Sequence, residues 1–186
     1  MPSNVAAVKQ INRENVLKFV YTQRSTTQKA IKDALQLSRS TIIQILKEFE
    51  DKNLIIKRGH LESTGGRRAS NLYFSRYSKI AIGVELLVDS YEIVALDLYG
   101  ETIKYERFDL LYENTDCYYE TVCRSVQALI HSLTLDSNKI LGVGIVLQGL
   151  ISNDGTQVTY GKILGCTGLR VDAFTRYLPY RCQFFH

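Results

Sequence analysis

Residues 37–49 read Leu37-Ser38-Arg39-Ser40-Thr41-Ile42-Ile43-Gln44-Ile45-Leu46-Lys47-Glu48-Phe49. Ile42, Ile45, Leu46 and Phe49 stand at i, i+3, i+4 and i+7, a single apolar stripe of a helix. Ser38 precedes the stripe and suits an N-cap, so the spacing predicts a helix from Ser38 to about Lys52. Its other face shows Arg39, Ser40, Thr41, Gln44 and Lys47. A helix has the width of the DNA major groove, and residues near its N-terminus meet base edges first. Ser38, Ser40 and Thr41 suit phosphate or bases, Arg39 forks onto guanine or phosphate, and Gln44 pairs with adenine. The structural alternative is an ordinary helical bundle with a polar outer face.

The flanks decide between the two. Upstream, Ile11 to Thr22 reads as a helix with Val16, Leu17, Phe19 and Val20 on one broad face. The polar break Gln23-Arg24-Ser25-Thr26 follows, and Thr26 or Thr27 caps a second helix carrying Ala30, Ile31, Ala34 and Leu35 inward. Thr27 and Gln28, at the start of that helix, join the candidate DNA contacts. A short turn at Gln36-Leu37, without the frequent glycine, leads into the Ser38 helix. This is the helix-turn-helix arrangement. Downstream, Asn53 to Arg58 reads as a strand, His60 to Gly66 as a turn-rich tip, and Arg67 to Ser75 as a returning strand with Leu72 and Phe74 inward. That hairpin makes the wing of a winged helix-turn-helix. Its Gly65-Gly66-Arg67-Arg68 tip lets the backbone lie low while Arg67 and Arg68 reach phosphates or a narrow minor groove.

Charge follows the same division. The 186 residues carry a net charge of +4, but residues 1–79 hold 15 Lys+Arg against 6 Asp+Glu, and residues 80–186 hold 8 against 13. A basic module for a polyanion is thus joined to an acidic module with another task. With 45% hydrophobic and 23% charged residues, composition excludes a disordered or fibrous chain. No apolar run approaches a membrane span, and the N-terminus has no secretory pattern, which predicts a cytoplasmic protein. Cys117, Cys123, Cys166 and Cys182 have neither metal spacing nor a secreted disulfide framework, and packing roles are expected for all four.

The acidic module reads as an α/β lobe. Lys79 to Val88 and Tyr91 to Leu98 are β-rich runs joined by Asp89-Ser90, Tyr99-Gly100 is a turn, and Ile103 to Tyr112 is a third strand. Thr115 or Asp116 caps a long helix bearing Tyr119, Val122, Val126, Leu129, Ile130 and Leu133 on one side. Ile140 to Leu147 is nearly continuous apolar, the pattern of a strand covered on both faces. A helix near Val171 to Tyr177 and a strand from Arg181 to Phe185 complete the chain. The fold class is therefore α+β, with a winged helix-turn-helix at 1–76 and an α/β lobe at 77–186.

These residues resemble a family. Asn12-Arg13, Val16-Leu17, Leu37 to Ile42, Leu54-Ile55 and Gly65-Gly66-Arg67-Arg68 are similar to the N-terminal part of ROK-family repressors of the xylose-repressor type. Ile82-Gly83-Val84-Glu85, Asp97 to Gly100, Gly142 to Ile145 and Gln148 to Ile151 extend the resemblance into the lobe. The resemblance implies the first lobe of an actin/hexokinase-like sugar-kinase domain. It also implies a dimeric repressor of sugar-metabolism genes that binds a double-stranded operator, with a sugar or sugar-phosphate effector only in a full-length form. Ala69 stands where the family has proline. ROK kinases carry a Gly-Gly-Thr phosphate loop after the first acidic residue, whereas Glu85 is followed by Leu86-Leu87-Val88-Asp89, and Gln148-Gly149 replaces Pro-Gly. Bulky side chains and the Asp89 charge oppose a phosphate there.

The family's catalytic aspartate, cysteine-rich zinc motif and most sugar ligands would lie beyond His186. The resemblance thus implies no enzyme, no cofactor and no metal, and a chain that binds DNA without sugar control, whether a truncated gene, a fragment, a proteolytic product or a true two-domain regulator. Cys166 replaces a tryptophan of the loop that touches sugar in relatives, so ligand contact from Gly161 to Leu169 is not expected and the ligand-binding residues stay unassigned. His60, His131 and His186 have no metal spacing, and Glu85 and Asp97 are read as strand-end residues. A second reading keeps the lobe as a catalytically dead interaction or ligand-sensing module whose basic half binds no specific DNA.

Overall fold

The computed structural model describes residues 4–60, 70–134 and 137–186. The chain divides into two compact units, Met1–Ser78 and Lys79–His186, each with its own hydrophobic core.

The first unit contains α1 (Asn4–Gln23), β1 (Ser25–Thr26), α2 (Gln28–Leu35), α3 (Arg39–Asp51), β2 (Ile55–His60) and β3 (Ser70–Phe74). Val16 and Val20 of α1, Ile31 of α2, and Ile42, Ile45, Leu46 and Phe49 of α3 close on Ile55 and Leu72 of the sheet. Thr27 caps α2, its side chain accepting from the Ala30 amide. Ala30 and Ala34, expected inward, are exposed. The helix instead seats on Gln28, Ile31 and Leu35, an i, i+3, i+7 line set by the bulky residues because alanine has little area to bury. Gln36 supplies the left-handed turn that glycine often fills, with φ 53°, its amide donating to the Lys32 carbonyl and its Nε2 to the Asp33 carbonyl.

The end of α3 corrects the expected strand start at Asn53. Asn53 takes φ 55°, its amide donates to the Glu50 carbonyl, and the Leu54 amide donates to the Phe49 carbonyl. This is a Schellman stop with asparagine in glycine's place, so β2 begins at Ile55. The polar break also hides structure: Ser25 and Thr26 pair with Tyr73 and Leu72, giving the sheet order β1-β3-β2. A two-residue strand has no periodicity to read. The first helix starts at Asn4 rather than Ile11. Residues 61–69, which carry the expected tip with Arg67, Arg68 and Ala69, lie outside the described residues.

The second unit holds a five-stranded sheet of β4 (Ile80–Leu86), β5 (Ser90–Leu96), β6 (Thr102–Asp109), β7 (Ile140–Leu147) and, at the end of the chain, a strand over Cys182–Phe185 that is β10. The order is β10-β7-β4-β5-β6, parallel where β7 meets β4 and β10, antiparallel through β5 and β6. Helix α4 (Asp116–Ser132), capped by Thr115, makes the crossover from β6 to β7 and buries Val122, Cys123, Val126 and Leu129 against one face. The two faces of β7 differ in how deeply they are buried. Val143, Ile145 and Leu147 are buried, whereas Gly142, Gly144 and Val146 face the other way. There, an added Cβ at Gly144 would meet the Phe185 ring at 3.2 Å, so glycines rather than a second layer explain the apolar run.

Other bounds shift for local reasons. β5 ends at Leu96 because Asp97 Oδ1 accepts the amides of Tyr99 and Glu101 across a turn whose Gly100 has φ 76°. β6 ends at Asp109, and the Leu110 and Tyr112 amides then donate to the Asp89 and Val88 carbonyls. A ribbon of β8 (Leu150–Ile151) and β9 (Val158–Tyr160), not expected from the pattern, precedes α5. α5 (Asp172–Thr175) is one turn rather than the expected span to Tyr177.

Candidate nucleic-acid interface

Ser38 holds the start of α3. Its Oγ accepts the Thr41 amide at 3.1 Å and lies 2.9 Å from Ser40 Oγ and 2.8 Å from Thr41 Oγ1. Its acceptor role is thus spent on the helix, and the Thr27 hydroxyl is likewise the cap of α2. Both hydroxyls retain a proton to donate, but each is first a structural group. Gln28 is half-buried on the seated side of α2.

With Ile42, Ile45, Leu46 and Phe49 inward, the line opposite the core is Ser40, Ile43, Gln44 and Lys47, all exposed. Arg39 is exposed on one flank of this line and Thr41 half-buried on the other. The fold thus brings Arg39, Ser40, Thr41, Gln44 and Lys47 onto the solvent side of one helix. Ile43, missed in the sequence reading, belongs with them. Sequence shows an Ile42-Ile43 pair, and only the helical phase separates the core member from the surface member.

Ion pairs sort the charges of this unit. Glu48 accepts from Lys52 Nζ and Arg13 Nε, both at 2.8 Å, which ties α1 to α3 and holds the Glu48 carboxyl below its usual range, the Lys52 bond contributing most. Lys57 Nζ lies 2.7 Å from Glu50. Arg39 and Lys47 on α3, and the exposed Lys29 and Lys32 on α2, have no ion pair among the described residues. Acids therefore neutralise the basic groups around Glu48 and Glu50 and leave these four cations to solvent.

In the second unit, a cleft of about 310 Å³ opens at the carboxyl ends of β4 and β7, lined by Leu86, Leu87, Val88, Asp89, Gln148, Ile163 and Leu164. The Leu87 amide already donates to the Ser90 carbonyl, and Ser90 Oγ donates to Asp89 Oδ1. Leucine side chains and a carboxylate occupy the place where a phosphate would need free amides. Asp97 is buried in its turn and Glu85 is exposed on β4; they serve different surroundings. No group of three or more His, Cys, Asp or Glu suited to a metal occurs among the described residues.

Cys166 is fully buried and Cys117 is exposed at the first turn of α4, against the packing role expected for it. Tyr112 and Tyr119 share a 2.7 Å hydroxyl contact, and Tyr119 donates to Asn114 Oδ1. Burial pushes the Tyr119 hydroxyl up to about 12. Tyr112 packs edge-on against Tyr118, and Tyr119 against Phe174.

No protein-family model matches the chain. A xylose-repressor relative from Caldicellulosiruptor sp. is 27% identical over 155 residues, covering 82% of this chain and 39% of its own length. The xylose repressor of Bacillus spizizenii is 23% identical, covering 79% and 38%. The DNA-binding transcriptional dual regulator NagC of Escherichia coli is 24% identical over 157 residues, covering 84% and 39%. The chain is similar to repressors of the ROK family. It spans about two fifths of the length of these relatives. Among solved structures, a ROK-family transcriptional regulator, a homologue of the E. coli MLC protein, superposes with a TM-score of 0.66 at 18% identity, over 95% of this chain and 45% of its own. The α+β fold is therefore shared with that structure. No helix among the described residues is long and apolar enough to cross a membrane.

Proposed function

We propose that this ROK relative is a cytoplasmic DNA-binding transcriptional regulator, a dimeric repressor of sugar-metabolism genes. In this reading residues 1–76 form a winged helix-turn-helix and 77–186 a ROK lobe without kinase activity. α3 enters the major groove, Arg39, Thr41 and Gln44 meet base edges, and Ser38, Ser40 and Lys47 meet phosphates or sugars. Thr27 and Gln28 approach the backbone from the start of α2, and Arg67 and Arg68 contact phosphates or the minor groove.

The observation that carries the reading is the outer face of α3. A capped helix presents Arg39, Ser40, Gln44 and Lys47 to solvent, with neither cation neutralised among the described residues. The names of the relatives support a repressor, and the leucine-lined cleft after β4 supports the absence of phosphoryl transfer. A sugar effector is the kind of ligand that the names of the relatives point to.

Binding-site selection from random duplexes is the test, followed by affinity across a salt titration. A selected sequence bound with a steep salt slope is expected, since each phosphate contact contributes about 0.9 of slope. Failure to enrich any sequence, with salt-insensitive residual binding, would instead favour a module for another partner.

A further inference from the structure

The outer face of α3 contains one group that its polar chemistry does not explain. Ile43 is 45% exposed, lies one helical turn from Ser40 and Lys47, and sits beside Gln44. Its neighbour Ile42 is buried in the core, so Ile43 is not needed to close the unit. A β-branched residue there also costs some helix propensity relative to a straight-chain polar residue.

In the major groove the one apolar feature of a base pair is the C5-methyl of thymine, next to the O4 acceptor. Gln44 stands one residue from Ile43 and has the amide geometry for adenine N6 and N7. Neighbouring positions on a recognition helix meet neighbouring steps of the groove. We propose that Ile43 is a specificity-determining residue that packs on a thymine C5-methyl while Gln44 reads an adjacent adenine. The inference rests on the DNA-binding reading above.

The duplex recovered by selection on the full chain provides the probe. Each thymine of that duplex is replaced in turn by deoxyuridine, which removes the methyl and keeps every hydrogen-bonding group. Wild-type protein is expected to lose about fourfold in affinity at one position, the equivalent of one buried methyl-sized group. Ile43→Ala should show no further loss at that position, Ile43→Val should keep most of the sensitivity, and Gln44→Ala should keep all of it. Because Ile43 is exposed, Ile43→Val should melt like wild type and Ile43→Ala no lower than wild type. Identical uridine profiles for wild type and Ile43→Ala, no methyl sensitivity at any thymine, or an equal loss on selected and random duplexes by folded Ile43→Ala would each overturn the proposal. A chain that selects no duplex fails earlier, at the DNA-binding reading itself.

Discussion

If the proposed DNA contacts hold, Gln44 and the arginine pair at 67 and 68 separate base reading from simple adhesion. A good bidentate amide contact discriminates by about 1–3 kcal/mol, so Gln44→Ala should relax specificity at one or two base pairs and leave affinity for random DNA unchanged. Equal losses on both would mark a folding or phosphate role. Arg67→Ala with Arg68→Ala should instead weaken all duplexes together and lower the salt slope by up to ~2 phosphate equivalents. A salt titration of the double variant that superposes on wild type would remove the wing contact. Both were candidates from sequence alone, because a polar helix face and an arginine pair behind two glycines are legible there. Ile43 was not, although the stripe at Ile42, Ile45, Leu46 and Phe49 already turns it outward, because an isoleucine offers no hydrogen-bonding group that marks a polar interface.

At the scale of the element, α3 depends on its ends. Ser38 caps the first turn and Asn53 closes the last at φ 55°. Ser38→Ala should cost about 1 kcal/mol of unfolding free energy by urea titration. Ser38→Asp should restore the stability while placing a carboxylate beside DNA, so stability recovers and affinity does not. If both variants melt like wild type, the cap is not supporting the helix. Asn53→Val should also destabilise the unit, because a β-branched residue is strained at positive φ. The sequence already held the N-cap signal. The asparagine stop was misread as strand because Asn53-Leu54-Ile55-Ile56 continues an apolar run, and the turn exists only once the Leu54 amide reaches the Phe49 carbonyl.

For the whole molecule, the two cores differ in how they respond to pH and thiol reagents. Burial pushes the Cys123 thiol up to about 12, with the nearby Cys182 adding to it, and burial alone pushes Cys182 up to about 11. A raised folded-state pKa means the folded unit holds its thiol protons where the unfolded chain releases them. The stabilisation is therefore complete below the unfolded thiol range, about 8.5, and is lost as pH rises towards about 11–12. Melting of the second unit should fall over that window. Cys123→Ala with Cys182→Ala should flatten the fall. At neutral pH a thiol reagent should modify Cys117 rapidly and the three buried cysteines only on unfolding; rapid modification of all four would contradict the packing around α4.

The sequence by itself determined the elements whose signal is local. The cap at Ser38, the pairs Thr26 or Thr27 and Thr115 or Asp116 from which the caps of α2 and α4 come, the core stripe of α3 and the β-rich runs of β4 and β5 depend on neighbours within a few residues, where periodicity and hydrogen-bonding chemistry act directly. Charge division, an integral over the chain, was legible for the same reason. Tertiary structure alone decided what rests on distant partners. Ser25 and Thr26 became a strand only because Tyr73 and Leu72 lie alongside. Ala30 and Ala34 turned outward because larger side chains claimed the core. On the face of β7 away from its buried side chains, Gly144 lies against the Phe185 ring, a neighbour 41 residues away in the chain. The physical distinction is range: a side chain's preference is local, but the area it buries is fixed by what the rest of the chain brings to it.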